Sequence, residues 1–128
     1  MLARPDIAAC LRREAYKDFA GAKIEVETER PLAVRNRNCL VVGSIDRLIT
    51  VYDGNQPIAA EILDFKTDAI AADDQRGLSE KIEFYTPQLQ AYCHAIQKMT
   101  GLELQRISAK LLLLEAGLVM PIPTGVQE

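Results

Sequence analysis

Asp46 and Asp64 are the residues whose types and placement first suggest chemistry. Each lies in an apolar run. One reads Val41-Val42-Gly43-Ser44-Ile45-Asp46-Arg47-Leu48-Ile49, the other Ile62-Leu63-Asp64-Phe65-Lys66-Thr67. Aspartate is depleted in strands, and burying it without a partner is costly. Strand alternation puts Asp64 and Lys66 on one face. The turn signal Asp53-Gly54-Asn55 between the runs predicts an antiparallel hairpin, which brings Asp46 close to Asp64. Two convergent carboxylates repel unless a cation sits between them. Lys66 is one candidate. A divalent ion serves better, because Mg²⁺ is a hard cation that takes one or two carboxylates and keeps several waters. Taken singly, each acid reads as a turn cap or a surface pairing partner. Asp-x-Lys alone is a weak pattern; the conjunction of both acids, the hairpin and the lysine is the stronger one.

Gln88 and Tyr92 are four residues apart, so a helix projects both from one face. Both side chains offer hydrogen bonds suited to phosphate or to coordinated water. Leu89, Cys93 and Ile96 form the neighbouring apolar stripe. The plainer alternative is a Tyr packed on the sheet with a wet hydroxyl, and a Gln on the rim.

The elements that must position these groups follow from periodicity. Residues 5–20 read as a helix, with Ile7, Leu11, Ala15 and Phe19 on one stripe and Gly21 as its stop. Ile24, Val26 and Thr28 alternate with Glu25, Glu27 and Glu29, which predicts a half-buried strand with its acids on the wet face. Pro31 marks an edge strand or a strand end. A turn at 36–38 leads into a long strand from Leu40 to Tyr52, and a returning strand runs from Ile58 to Phe65. Residues 68–80 are polar and read as a loop, with a short helix from Ser79 to Tyr85. Thr86-Pro87 predicts a new helix start, with Thr as N-cap, running to Thr100 and closed by Gly101. Ile107–Leu114 and Leu118–Ile122 read as a final strand pair around the turn Glu115-Ala116-Gly117. The order αβββαββ predicts a mixed α/β domain with helices packed on a sheet.

The chain has 128 residues, 48% of them apolar, enough for one domain with a core. Its 15 basic and 18 acidic residues give a net charge of −3, which excludes a module that holds nucleic acid by bulk positive charge. No apolar run reaches the roughly 18 residues of a membrane span, and no signal-peptide pattern begins the chain. Cys10, Cys39 and Cys93 are scattered and odd in number, so they read as small buried hydrophobes in a reducing compartment, the cytoplasm. No Walker motif is present, so this chain is not itself an ATPase.

Gly43-Ser44-Ile45-Asp46-Arg47, then Ile62-Leu63-Asp64-Phe65-Lys66-Thr67, then Tyr85-x-x-Gln88-Leu89-x-x-Tyr92, together resemble the RecB/AddA-type nuclease domain of the PD-(D/E)xK superfamily. That domain usually stands at the C-terminus of a superfamily-1 DNA helicase. The resemblance runs from about residue 24 to 122. It implies a restriction-endonuclease-like core, a central mixed sheet flanked by helices. It implies a metal-dependent exonuclease-type deoxyribonuclease of DNA recombination and repair, using Mg²⁺ with Mn²⁺ as substitute. By the same resemblance Asp46 and Asp64 are metal ligands, the Phe65 backbone carbonyl is a further ligand, and Lys66 is the catalytic lysine. Gln88 and Tyr92 match the family's Q-x-x-x-Y motif, which supports the active site and the DNA backbone. The implied product ends are a 5′-phosphate and a 3′-hydroxyl. The implied partners are DNA and helicase domains, in the same polypeptide or in a partner subunit, with this chain a single nuclease domain cut from a larger helicase-nuclease.

The chain departs from the family in two places. The family's upstream His ligand has no counterpart, since the one His, His94, follows the motifs; Glu14 on the first helix is the candidate substitute. The four cysteines of iron–sulfur relatives are absent, so no cluster is expected. Two other readings stay open at this level. One is a non-catalytic module of the same fold, structural or DNA-guiding, within such a complex. The other is an unrelated binding domain in which Asp46, Asp64 and Lys66 form a buried ion pair.

Overall fold

The computed structural model describes residues 22–36 and 38–124. Five strands form one sheet in the order β1-β2-β3-β4-β5: Lys23–Asn36, Cys39–Asp53, Gln56–Lys66, Ile107–Leu113 and Leu118–Ile122. The pairs β1/β2, β2/β3 and β4/β5 are antiparallel, and β3/β4 is parallel. The sheet is therefore mixed, as expected. β4 starts opposite Ala60, near the beginning of β3. The chain must cross back over the sheet to get there, and the helix α1, Gln75–Thr100, makes that return. The predicted helix over 5–20, with Gly21, lies outside the described residues.

The helix differs from the expectation. Ser79–Tyr85 and the segment from Thr86 are one continuous helix with Pro87 inside it, and the helix begins at Gln75, within the segment read as loop. Asp74 is the N-cap; its carboxylate accepts from the Gly77 N–H at 3.0 Å. Thr86 caps nothing: its Oγ1 donates back to the Ile82 carbonyl. Pro87 removes one helical donor, a disruption of about 3 kcal/mol in a helix interior. Tertiary burial outweighs it. Leu78 lies before the proline and Leu89, Cys93 and Ile96 after it, and all four are buried in the same core. Each such side chain contributes roughly 1.5–3 kcal/mol. Gly101 ends the helix as predicted, in the left-handed conformation, with its N–H on the Gln97 carbonyl.

The core lies between α1 and one face of the sheet, where Leu89, Cys93 and Ile96 meet Ile45, Leu48, Ile62, Leu111 and Leu113. Ile49, Leu63 and Leu112 form a smaller cluster on the opposite face. Burial pushes the Cys93 thiol up to about 12, so it is the inert buried thiol its sequence context suggests. Cys10 and the Cys39 side chain are outside the description.

β1 is an edge strand, which suits Pro31. Its predicted wet and dry faces are not clean, however. Val26 is 51% exposed, while Glu25 is half-buried. The backbone explains part of this. Glu29 has φ +50, and the pairing of β1 with β2 resumes on either side of it. Across from it, Ile45 and Leu48 both join the helix-side core although they are three residues apart. Strict alternation is broken between them, at Asp46 and Arg47.

Candidate functional site

That break coincides with the point where two strands separate. The β2/β3 ladder ends at Arg47↔Leu63. One step further, in place of the next ladder bond, the Phe65 N–H donates to Asp46 Oδ2 at 2.8 Å. The Asp46 carboxylate thus occupies the gap that opens between β2 and β3. A strand residue's N–H and C=O point to the same side, so the Phe65 carbonyl faces this gap too. The Phe65 ring is turned away, with the Arg47 guanidinium 5.7 Å from its centre, and only its backbone belongs to the site.

Asp64 and Lys66 share a face of β3, as alternation predicts. The Lys66 ammonium is 3.3 Å from Asp64 Oδ2, a charge contact without hydrogen-bond alignment. Asp64 is only 5% exposed, and among the described residues its Oδ2 is buried with no hydrogen-bond partner. Burial, then the neighbouring Asp46 carboxylate, push the Asp64 carboxyl up to about 6, against the pull of Lys66.

The sign of the resulting pH effect follows from linkage. A carboxyl whose pKa is higher folded than unfolded binds its proton more tightly in the native state. The native state is therefore penalised above pH 6, and the penalty fades as pH falls through about 6 toward 4. Asp68, lowered mainly by its hydrogen bond with Lys81, acts in the opposite direction and only at more acidic pH. For the metal-free protein, the Tm of wild type should approach that of Asp64→Asn as pH is lowered from 8 to about 4.5. A gap that widens on acidification would contradict the assignment.

Gln88 and Tyr92 do share a face of α1, and Gln88 Nε2 donates to the Tyr92 hydroxyl at 3.4 Å. Tyr92 is buried, and its phenol end lies against Gly43 of β2. A Cβ built on Gly43 would clash with its hydroxyl and come 2.9 Å from its ring. Gly43 is the residue that lets Tyr92, and with it α1, approach the strand that carries Asp46. Gly43→Ala should lower stability by roughly 1–3 kcal/mol through overpacking. Adding Tyr92→Phe should recover part of the loss, read as a urea midpoint; no recovery would mean that the hydroxyl is not the obstacle. The Tyr92 hydroxyl thus lies between Gly43 and Gln88, and Gln88 is the exposed member of the pair.

Asp68 and Lys81 are not among the site residues expected from sequence, and Tyr85 stands in the quoted motif without a role of its own. Lys66 Nζ lies 4.5 Å from the centre of the Tyr85 ring. The Tyr85 hydroxyl donates to both Asp68 oxygens, at 3.2 and 3.0 Å, and Lys81 pairs with Asp68 at 2.8 Å. The i, i+4 spacing of Lys81 and Tyr85 was the available signal. Both residues fall within the predicted Ser79–Tyr85 helix, but that spacing does not say that Asp68 and Lys66 meet them across the fold.

Glu14 lies outside the described residues. Among those described, no three His, Cys, Asp or Glu side chains gather into a cage. The donors that converge are two carboxylates and a carbonyl, all oxygen. One of them is a buried carboxylate oxygen left without a hydrogen bond. That set fits a hard divalent cation with open positions for water, and does not fit a soft or redox metal. No helix among the described residues is long and apolar enough to cross a membrane.

Comparison with known proteins agrees with this fold. The family model described as the PD-(D/E)XK nuclease superfamily matches residues 3–122. No curated protein matches the chain significantly.

Proposed function

The chain belongs to the PD-(D/E)XK nuclease superfamily, whose members are mostly nucleases and generally use divalent metal ions, and from that footing we propose that it is a Mg²⁺-dependent deoxyribonuclease domain of the RecB/AddA type. The observation that supports the proposal is the buried Asp64 carboxylate, one oxygen of which has no hydrogen bond, close to the Asp46 carboxylate at the β2/β3 gap. An arrangement that raises a carboxyl's pKa destabilises the metal-free state and is relieved by a cation.

In this reading Asp46, Asp64 and the Phe65 carbonyl hold the ion, with Glu14 as a further candidate ligand. When bound, such an ion supplies Lewis acidity to the scissile phosphate and acidifies water. Lys66 orients the attacking water through its ammonium and offsets charge growing on the phosphate. Its lean toward Asp64 puts that ammonium at the edge of the carboxylate pair, where a phosphate would arrive. In-line attack then leaves a 5′-phosphate and a 3′-hydroxyl. Gln88, exposed and hydrogen-bonded to the fixed Tyr92, is placed to meet the DNA backbone.

The net charge of −3 supports the wider part of the proposal. An acidic domain lacks the field that steers and holds DNA. We infer that it acts as a single nuclease domain fed by helicase domains, in the same polypeptide or in a partner subunit, in recombination and repair. A reducing, cytoplasmic setting fits the buried thiol of Cys93. The isolated 128 residues should bind linear DNA weakly at physiological salt, measured by fluorescence anisotropy; tight binding would remove the need for a helicase partner. The direct test of function is cleavage of end-labelled linear DNA with Mg²⁺ or Mn²⁺ and with EDTA. Metal-dependent shortening is expected. Its absence at millimolar Mn²⁺, with the protein folded, would favour the non-catalytic module.

A further inference from the structure

We propose that Tyr85 is the positioning residue for Lys66: its ring face holds the ammonium beside Asp64, and its hydroxyl is anchored by Asp68. As a statement about catalysis this rests on the nuclease reading above. As a statement about where the lysine sits it does not.

Lysine is a flexible point charge, and its four-carbon stem resists being held in one place. Asp64 alone is a poor anchor, because its oxygen meets the ammonium at 3.3 Å without hydrogen-bond alignment. The Tyr85 ring supplies a second attraction from another direction, at 4.5 Å from its centre. An ammonium over an aromatic face is drawn to the ring's negative quadrupole. This hold persists whatever else claims the charge of Asp64.

The ring is itself fixed on several sides. Its hydroxyl donates to both oxygens of Asp68. Asp68 is two residues beyond Lys66, just past the end of β3, so the segment that leaves the lysine also carries the anchor for its clamp. Lys81, one turn before Tyr85 on α1, pairs with the same carboxylate at 2.8 Å. The Phe84 ring meets Tyr85 edge-on, with centres 5.0 Å apart and planes at 80°. The end of β3 and the first half of α1 are thereby tied together around Lys66.

The test combines kinetics with a readout independent of cleavage. An ammonium over a ring face carries its ε-methylene protons into the ring current. In ¹³C-edited NMR of the full chain, the Lys66 ε-CH₂ signal, assigned by its loss in Lys66→Ala, should be shifted upfield. The shift should survive in Tyr85→Phe and vanish in Tyr85→Leu. In metal-dependent cleavage, Tyr85→Leu should lower kcat about tenfold with KM changed less than about twofold. Tyr85→Phe, which keeps the ring, should lose roughly two- to threefold. Lys66→Ala with Tyr85→Leu should be no slower than Lys66→Ala alone, because a positioning residue has nothing to position once the lysine is gone. No upfield shift in wild type overturns the proposal, as does a double variant slowed by the full product of the single effects. A wild-type protein that shows the shift but cleaves no DNA overturns the nuclease reading and leaves the Tyr85–Lys66 contact supported.

Discussion

Asp64→Asn should stabilise the metal-free protein at pH 7–8 while abolishing its metal-dependent cleavage. The two effects share one cause. At neutral pH the native state holds a charged carboxylate that is buried, faces Asp46, and leaves Oδ2 without a hydrogen bond. The raised pKa of about 6 measures that burden. Water at the rim and the neighbouring Lys66 screen part of it, leaving a gain on the order of 1–2 kcal/mol for the neutral amide. That corresponds to a Tm higher by several degrees for a domain of this size. Asparagine keeps the shape and a carbonyl oxygen but loses the charge that holds a divalent ion, so cleavage should fall by about three orders of magnitude or more. Stability and activity moving in opposite directions separate this site from a structural ion pair. A buried Asp64–Lys66 pair kept for stability would make Asp64→Asn destabilising, by about 3–5 kcal/mol for a pair broken on one side.

Lys66→Ala should give the complementary result. It removes the ammonium but none of the oxygen donors, so the ion should still bind. Cleavage should fall by roughly 10²–10³-fold, the range seen when one electrostatic stabiliser of a transition state is removed. With Lys66 gone, nothing offsets the burial of Asp64, and its carboxyl should move further up, since Lys66 is the group that pulls it down. Calorimetric titration with Mn²⁺ alongside a cleavage assay distinguishes the roles. Loss of ion binding in Lys66→Ala would mean that the lysine holds the site's geometry and does not act on the phosphate.

The central part of this site was legible in the sequence because it depends on short-range rules. Alternation places Asp64 with Lys66, and a two-residue turn signal folds Asp46 back toward Asp64; both hold. The role of Phe65 was only half legible. Its identity in the motif pointed to the backbone carbonyl, but the N–H bond to Asp46 exists because the ladder stops at Arg47↔Leu63, a property of the sheet. The helix was misread for a physical reason. Thr86-Pro87 has the local chemistry of a helix start, and only tertiary packing, with Leu78 on one side of the proline and Leu89 and Cys93 on the other, makes the helix continuous. Lys81 and Tyr85, one helical turn apart, lie within the predicted Ser79–Tyr85 helix, but their contacts with Asp68 and Lys66 join distant parts of the chain and no local rule gives them. Alternation places Val26 on the dry face of β1, where it is in fact 51% exposed. Alternation alone does not say whether anything covers an edge strand, nor that Glu29 would adopt φ +50 and drop out of an otherwise unshifted ladder. Gly43 stands in the motif around Asp46, but its contact with Tyr92 joins β2 to the helix and is not given by local pattern.

The most direct test of the metal site is a crystal of the wild-type chain soaked with Mn²⁺ and measured at the manganese absorption edge. An anomalous peak between the Asp46 and Asp64 carboxylates, within reach of the Phe65 carbonyl and absent from Asp64→Asn, is the predicted result. An empty gap at saturating Mn²⁺, with Lys66 still paired to Asp64, would contradict it.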